Sequence, residues 1–290
     1  MSAVSPFVPN VVTNVVTSEF GQSLRYWRAK RGMSQLQLSA DSGISQRHIS
    51  FMESGRSQPS REMVLKLGLV LDVPLRQRNL LLLAAGYAPL YRERSLSDPE
   101  LQPVRQALEY MLAQQEPYPA VVVDRLWNLV MGNASASRML DWLLGPLEDR
   151  APALRSTANL VTMMLHPQGL RPNIVNWEQV AADVLQLIHR ESLVEGSDGA
   201  ARALLEHLLA IDGVPADWRV PNLESRNMPF MPMRLTRGAV TLDLFTTITT
   251  LGTPHDVTLH ELRIESFFPA NEATAIWFRA RAIGQAPAPG

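Results

Sequence analysis

The chain of 290 residues contains no cysteine. That absence excludes disulfides, thiolate nucleophiles, and zinc or iron–sulfur sites built on cysteine. No apolar run approaches the roughly 18 residues that a membrane-spanning helix needs, and no Lys or Arg precedes an apolar core at the N-terminus, as in a signal peptide. We therefore expect a cytoplasmic protein without a membrane span.

The chain also lacks an overall excess of charge, since its formal net charge is -1. The charge is unevenly spread. Residues 21–71 carry eight Lys and Arg side chains against three Asp and Glu, a net of +5, which leaves -6 for the remainder. A basic segment joined to an acidic one is typical of a protein in which only the first segment meets phosphate.

The stretch Ser34–Gly55 predicts two short helices joined by a glycine turn. Ser34 and Gln37 have the spacing of a capping box, Gly43 ends the first helix, and Ser45 is the N-cap of the second. This arrangement is typical of a helix-turn-helix that reads DNA. An alternative is a five-helix bundle of unrelated purpose, because Leu and Ile spacing alone fits any helix pair.

The second of these helices presents hydrogen-bonding side chains outward. Ile49 and Met52 are three residues apart and face inward. In the major groove Arg47 can bond guanine O6 and N7, and Gln46 can bond adenine N6 and N7. Arg28, Lys30 and Arg31, at the end of an earlier helix, suit either the helix dipole or a phosphate.

Residues 19–71 resemble the helix-turn-helix domain of the phage-repressor (XRE) family, through Ser-Gln…Leu and Gly-Ile-Ser…Ile…Met-Glu-Ser-Gly. The resemblance implies base contacts from Gln35 and from the start of the second helix. Phe51 departs from the polar residue that relatives often carry, so we expect it to contact a thymine methyl group. The predicted DNA contacts are Gln35, Ser45, Gln46, Arg47, Ser50, Phe51 and Arg56.

A length of 290 residues is typical of two domains. We predict a loose N-terminal arm at 1–17, a helix-turn-helix domain at 18–95, a second domain at 96–283 and a tail at 284–290. The fold class is an all-α five-helix domain followed by an α+β domain. A single helix-turn-helix reads few bases, so we expect a homodimer on an inverted repeat in double-stranded DNA.

The second domain mixes helices with β-rich runs. A helix from Pro99 to about Glu116 precedes two strands that form a hairpin, and Asn133 caps a further helix. Three more helices are predicted at about 153–166, 177–193 and 199–211. Strands follow at 231–237, 239–251 and 255–268, the last with a bulge near His260 and Glu261. Together these predict an antiparallel sheet of about five strands with helices on one face.

This region, about residues 86–280, resembles the PAS-like sensor domain of the MmyB-like transcription regulators. The resemblance is carried by Ala-Ala-Gly-Tyr-Ala-Pro at 84–89, Trp127…Asn133, Asn159-Leu160, His166-Pro167, Arg171 and Trp177. It implies a transcription regulator whose second domain holds a small ligand in a cavity between sheet and helices. The segment 228–234 departs from a usual tryptophan-containing stretch.

Methionine and aromatic side chains adapt to flexible apolar ligands, although ordinary core packing explains them as well. The candidate ligand contacts are Trp127, Met131, Met163, Met164, Phe230 and Phe245. No cluster of polar groups accompanies them, so we predict a fatty acid or similar lipid and no other cofactor. The alternative is a domain that only dimerises or binds a protein partner.

Catalytic and metal signals are weak. Of six histidines only His255 and His260 are close, and on a strand their spacing places them on opposite faces. No Ser-His-Asp order, glycine-rich phosphate loop or pair of carboxylates in an apolar setting can be assembled. We expect no catalytic residues, no metal site and no enzymatic activity. An enzyme carrying a DNA-binding domain, or a haem held by one histidine, are the weaker alternatives.

Overall fold

The computed structural model describes residues 18–145, 158–194, 199–220, 232–252 and 256–282. The chain divides into two compact units, residues 1–92 and 93–290. The predicted arm at 1–17, the tail at 284–290 and Phe230 lie outside the described residues.

The first unit contains five helices around one apolar core, as the sequence predicts. The first four helices each begin at a serine whose Oγ accepts a hydrogen bond from a backbone N–H of the first turn, at distances of 3.0–3.3 Å. These serines explain why the helix starts could be read from the sequence. The helices are α1 (Glu19–Lys30), α2 (Gln35–Ser42), α3 (Gln46–Glu53), α4 (Arg61–Val70) and α5 (Leu75–Ala84).

The second unit is built on a five-stranded antiparallel sheet, which confirms the predicted α+β class. The strands are β1 (Ala120–Val123), β2 (Leu129–Gly132), β3 (Pro232–Arg237), β4 (Val240–Thr250) and β5 (Arg263–Pro269). Their order in the sheet is β2-β1-β5-β4-β3. The helices are α6 (Gln102–Gln114), α7 (Ala134–Leu144), α8 (Leu160–Leu165), α9 (Trp177–Val194), α10 (Ala200–Leu209), α11 (Val257–Glu261) and α12 (Glu272–Ala282), with 3₁₀ turns at Pro99–Leu101 and Arg171–Asn173.

Helices cover both faces of the sheet, so the prediction of one covered face was wrong. Val121 and Val123 of β1 face the main core, whereas Ala120 and Val122 face a smaller cluster that includes Leu108 of α6. The physical reason lies in the sequence of β1, which is apolar at four successive positions. A strand without polar alternation needs cover on both faces.

The predicted strand at 255–268 was also wrong in its first half. Asp256 is buried, and its Oδ1 accepts hydrogen bonds from the N–H groups of Thr258 (2.9 Å) and Leu259 (3.4 Å), so the chain enters α11 instead of a strand. The shift in the spacing of apolar residues near His260 and Glu261 therefore marks the junction between α11 and β5, not a bulge within one strand. The sequence reading also missed α12, although Asn271 accepts from the Thr274 N–H at 2.9 Å and marks its start.

Asn133 joins three elements of the second unit. Its Oδ1 accepts from the N–H groups of Ala120 (3.1 Å) and Ala136 (2.9 Å), and its Nδ2 donates to the carbonyls of Leu112 (3.2 Å) and Tyr118 (2.8 Å). The predicted N-cap of α7 therefore also fixes the start of β1 against the end of α6. All four hydrogen-bonding positions of this buried amide are used.

Glu53, at the end of α3, is the buried charge that holds the first unit together. Its carboxylate accepts from Arg28 Nε (2.6 Å) and Nη2 (3.0 Å) on α1, and from Gln35 Nε2 (2.8 Å) on α2. Burial alone would raise the pKa of Glu53, but the hydrogen bonds from Arg28 and Gln35 and the charges of Arg28 and Arg25 outweigh it and lower the pKa. The charged form of Glu53 is thus the form that stabilises the fold.

Gly21 allows α1 to approach the end of α3. A Cβ atom at position 21 would lie 2.6 Å from the carbonyl oxygen of Met52 and 2.8 Å from that of Glu53. No side chain fits there without moving the backbone of α3. The orientation of α3 therefore depends on a glycine in α1 and on the ion pair that Arg28 forms two turns further along that helix.

We predict that Glu53→Gln lowers the free energy of unfolding of the first unit by about 2 to 3 kcal/mol at pH 7, because Arg28 loses its charged partner. A lowered pKa means that this stabilisation is present above the ordinary Glu value of 4.5 and is lost as the pH falls below it. Urea unfolding followed through amide signals of α1–α3 measures the difference between wild type and variant at each pH.

The matched control is Glu62→Gln, which changes an exposed carboxylate in the same unit and should cost no more than about 0.5 kcal/mol. A cost for Glu53→Gln that is the same at pH 7 and at pH 3.5 would contradict the assignment of the stabilisation to the charged carboxylate.

Candidate functional site

The turn between α2 and α3 has the geometry of a helix-turn-helix. Gly43 adopts a left-handed conformation with φ of 65°, which L side chains rarely adopt. Ser45 then caps α3, while Ile49 and Met52 are completely buried in the first core. Ser45, Gln46 and Arg47 are left exposed at the start of α3.

Phe51 orients two arginines on the exposed side of α3. The guanidinium carbon of Arg47 lies 5.3 Å from the centre of the Phe51 ring, and that of Arg56 lies 5.9 Å from it. Both cations are exposed, whereas the ring is half-buried. Cation–π contacts of this kind restrict the flexible arginine side chains to one surface. The sequence predicted Phe51 only as a base contact and gave no indication of this role.

Two further predicted DNA contacts, Ser50 and Gln35, lie on different helices. Ser50 is half-buried one turn after the exposed start of α3. Gln35 is half-buried, and its amide nitrogen donates to Glu53. That hydrogen bond fixes the Gln35 side chain between α1 and α3. Gln35 therefore has a structural contact that its position in the sequence did not indicate.

All three cations at the end of α1 have partners within the first unit, and Lys30 Nζ donates to Tyr26 Oη at 3.1 Å. Arg28 pairs with Glu53, and Arg31 Nε donates to the carbonyl of Leu71 at 2.7 Å, at the end of α4. A guanidinium at a helix C-terminus satisfies carbonyls that lack a partner within the helix. The sequence left the dipole of α1 and a phosphate open as partners for these cations, and the structure instead shows Arg28 bonded to α3 and Arg31 bonded to the end of α4.

A small apolar cavity lies in the main core of the second unit. Its volume is about 20 Å³, and its wall consists of apolar side chains from β1, β3, β5, α7, α8 and the segment after α8. Three methionines form part of this wall: Met139, Met164 and Met233. A volume of this size holds about one water molecule. Pockets for small molecules are usually about 300 to 1,000 Å³, so a bound chain would have to displace wall side chains.

The structure brings only one of the described ligand candidates to this cavity, namely Met164. Met163 is buried in the same core, and the indole of Trp127 donates to Glu191 Oε2 at 3.2 Å. Met131 packs against the α6 cluster, and Phe245 stacks on Phe268 with ring centres 5.2 Å apart. Neither side chain shares a sheet face with the cavity, because side chains on a strand alternate between the two faces.

Glu265 is a buried carboxyl that the sequence analysis did not single out. It lies on β5 opposite Val121, which is part of the cavity wall. Burial raises the pKa of Glu265 to about 7, against the opposing effect of a hydrogen bond with Thr246. No described residue partners its Oε2. The sequence signal for Glu265 was a charged residue at an inward-facing position of an otherwise apolar strand.

Within the described residues, no group of three or more His, Asp or Glu side chains could hold a metal ion. The helices of the same part of the chain are all too short or too polar to cross a membrane.

Two family models match the chain. Residues 24–77 match a helix-turn-helix model, and residues 104–280, more than half of the chain, match the MmyB-like transcription regulator ligand binding domain. The chain is 35% identical over 118 residues to RghRB, an uncharacterized HTH-type transcriptional regulator of Bacillus subtilis (strain 168). That alignment covers 40% of this chain and 76% of the relative.

Two solved structures also show similarity. The restriction-modification controller protein C.AhdI from Aeromonas hydrophila is 34% identical, with a TM-score of 0.20, over 21% of this chain and 92% of its own. An RNA-binding Light-Oxygen-Voltage receptor is 12% identical, with a TM-score of 0.25, over 93% of this chain and 64% of its own. Neither score is high enough to establish a shared fold.

The two family matches fall on the two units of the structure, and they are matches to a transcription regulator, not to an enzyme. The chain belongs to the MmyB-like transcription regulators: it is a DNA-binding transcription regulator with a ligand-binding domain.

Proposed function

We propose that α3 reads DNA through Arg47 and the residues around it, and that the second unit senses a small apolar acid, a fatty acid or similar lipid. The proposal that α3 reads DNA rests on the pair of exposed guanidiniums held against Phe51, beside the exposed start of α3. The second half is supported by the all-apolar, methionine-containing wall of the cavity.

Arg47 and Arg56 differ in their positions and therefore in their proposed roles. Arg47 is the second residue of α3, where side chains of a reading helix reach base edges. Arg56 lies in the loop after α3, where a cation meets the phosphate backbone. Gln46 and Ser45, exposed beside Arg47, complete the proposed reading surface. Specificity then comes from α3, while Arg56 adds affinity for any sequence.

We further propose that the chain binds an inverted repeat as a two-fold dimer. A single reading helix contacts few base pairs, and dimers of such domains place their half-sites about 34 Å apart. The first unit has apolar surface available for self-association, since Leu69 of α4 is 66% exposed and Leu83 of α5 is 52% exposed. Isolated leucines are common on surfaces, so these two support the dimer without locating its interface.

A flexible chain fits the cavity better than a rigid ligand does. The methionine side chains of its wall are unbranched and can change rotamer with little cost, so the cavity can lengthen around a chain. Each methylene of the ligand that leaves water contributes about 0.8 kcal/mol to binding, and this gain offsets the cost of moving the side chains of the cavity wall. The alternative to ligand sensing is that the domain binds a protein partner or only dimerises. The small cavity volume of about 20 Å³ favours this alternative.

For DNA reading, we predict that Arg47→Ala costs about 1 to 3 kcal/mol at one base position and relaxes specificity there, whereas Arg56→Ala weakens binding to all sequences alike. A binding site selected from random duplexes is titrated by fluorescence anisotropy, together with its single-base variants. Arg202→Ala removes an exposed cation of the second unit and serves as the control. Unchanged affinity and base preference in Arg47→Ala would rule out α3 as the reading helix.

For the assembly, we predict two chains on each selected DNA duplex, and a palindromic consensus in the selected sequences. Sedimentation velocity with labelled DNA measures the mass of the complex. A complex that contains one chain at saturating protein, on a site without two-fold symmetry, would contradict the dimer.

For the ligand, we predict that Leu140→Trp weakens binding of cis-parinaric acid by at least about tenfold, because the larger side chain occupies the cavity that Leu140 lines. Ser137→Trp places the same side chain on an exposed position of α7 and should leave binding unchanged. Probe fluorescence on delipidated protein gives both affinities. Absence of binding to the wild type, with no gain in thermal stability from long-chain acids, would leave the partner-binding alternative as the better account.

A further inference from the structure

Two N–H groups on α12 are buried without an acceptor. Trp277 Nε1 and Arg281 Nη1 have no hydrogen-bond partner among the described residues, although both atoms are cut off from solvent. Buried donors are almost always paired, since an unpaired one costs about 1 to 3 kcal/mol and a charged one more. Two such donors one helical turn apart, both on the same helix, indicate a missing acceptor.

The guanidinium of Arg281 lies on the Trp277 ring, with a second indole, that of Trp142, next to Trp277. Its Cζ lies 3.7 Å from the centre of the Trp277 ring and 5.9 Å from that of Trp142 on α7, and the two indole rings are 4.7 Å apart. The aromatic faces restrict the side chain without using its N–H groups. Burial lowers the pKa of Arg281, and no carboxylate of the described residues offsets this effect.

Several other arginines of the second unit have carboxylate partners. Arg279, two residues before Arg281 on the same helix, pairs with Glu272 at 2.9 Å, and Arg263 pairs with Glu191 at 2.5 Å. Arg281 differs in being a partly buried cation whose counter-ion does not come from a described residue. An anion from outside the chain would satisfy both its charge and the two donors.

The donors lie against the core that contains the cavity. Trp142 and Trp277 both pack on the main core of the second unit. Met139 and Leu143 of α7, three residues before and one after Trp142, form part of the cavity wall. The same stretch of α7 therefore lies next to both the apolar space and the two donors.

We propose that Arg281 Nη1 and Trp277 Nε1 bind the carboxylate of an acid whose apolar chain occupies the cavity. This inference rests on the proposed ligand, and it adds the chemistry of the head group. A carboxylate accepts two hydrogen bonds at once, one of them charge-assisted, and brings the counter-ion that no described residue supplies to Arg281. An alcohol of the same chain length brings no charge.

The test compares decanoate with decan-1-ol by calorimetric titration of the delipidated full chain at constant pH and salt. We expect wild type to prefer the acid by at least about tenfold. Arg281→Gln should weaken decanoate binding by about ten- to a hundredfold and leave decan-1-ol binding unchanged, and Trp277→Phe should weaken only decanoate, by a smaller factor. Arg279→Gln is the matched control and should change neither.

Thermal unfolding without ligand supplies a second readout. Arg281→Gln removes a partly buried, unpaired charge, so its midpoint should equal or exceed that of wild type, whereas a purely structural arginine would lower it. Equal affinities for acid and alcohol, unchanged by Arg281→Gln, would overturn the head-group site and leave the apolar ligand standing. Failure of both compounds to bind wild type would overturn the ligand itself, and the head-group site with it.

Discussion

A polar atom removed from water needs a partner, and this constraint governs the positions of the elements in both units. Glu53 joins α1, α2 and α3 because its carboxylate accepts from residues of the first two helices. In the second unit Asn133 joins α6, β1 and α7, and Asp256 joins α11 to Arg94, whose Nε donates to it at 3.0 Å. In each case one buried polar side chain fixes several elements at once.

The same constraint distinguishes the two units. Among the described residues, the buried side-chain atoms that lack a partner are Glu265 Oε2, Trp277 Nε1 and Arg281 Nη1, and all three lie in the second unit. The described part of the first unit has no such atom. The described part of the second unit leaves a positive charge and two donors for a group from outside.

Local signals in the sequence were sufficient for the first unit and for the fold class. Serine caps and a glycine at positive φ fix helix starts and the turn over a few residues, so Ser34, Gly43 and Ser45 could be read directly. The fold of the second unit was predictable in outline for the same reason, through Asn133 and the apolar strands. The start of α11 was not predicted because Asp256 caps a helix only if the backbone after it turns. The apolar residues that follow Asp256 fit the spacing of a helix as well as that of a strand.

The contacts of the second unit could not be predicted in the same way, because they depend on pairing between distant segments. The register of β4 with β5 places Phe245 beside Phe268 on the face away from the cavity, and nothing near Phe245 in sequence decides that face. The meeting of Trp142 with Trp277 and Arg281 joins α7 to α12, more than 130 residues apart along the chain. Phe51 is a milder case, since its arginine partners are near in sequence but its function as their support required the structure.

Sensing of an acid by the second unit, as we propose it, requires that the bound acid change DNA binding by the first unit. The most direct measurement is the affinity of the full chain for its selected operator, with and without saturating decanoate, in wild type and in Arg281→Gln. Couplings of this kind are usually about 5- to 150-fold, and the account predicts a change in that range for wild type and none for the variant at the same decanoate concentration. A wild-type affinity that decanoate leaves unchanged, although it binds, would contradict the account.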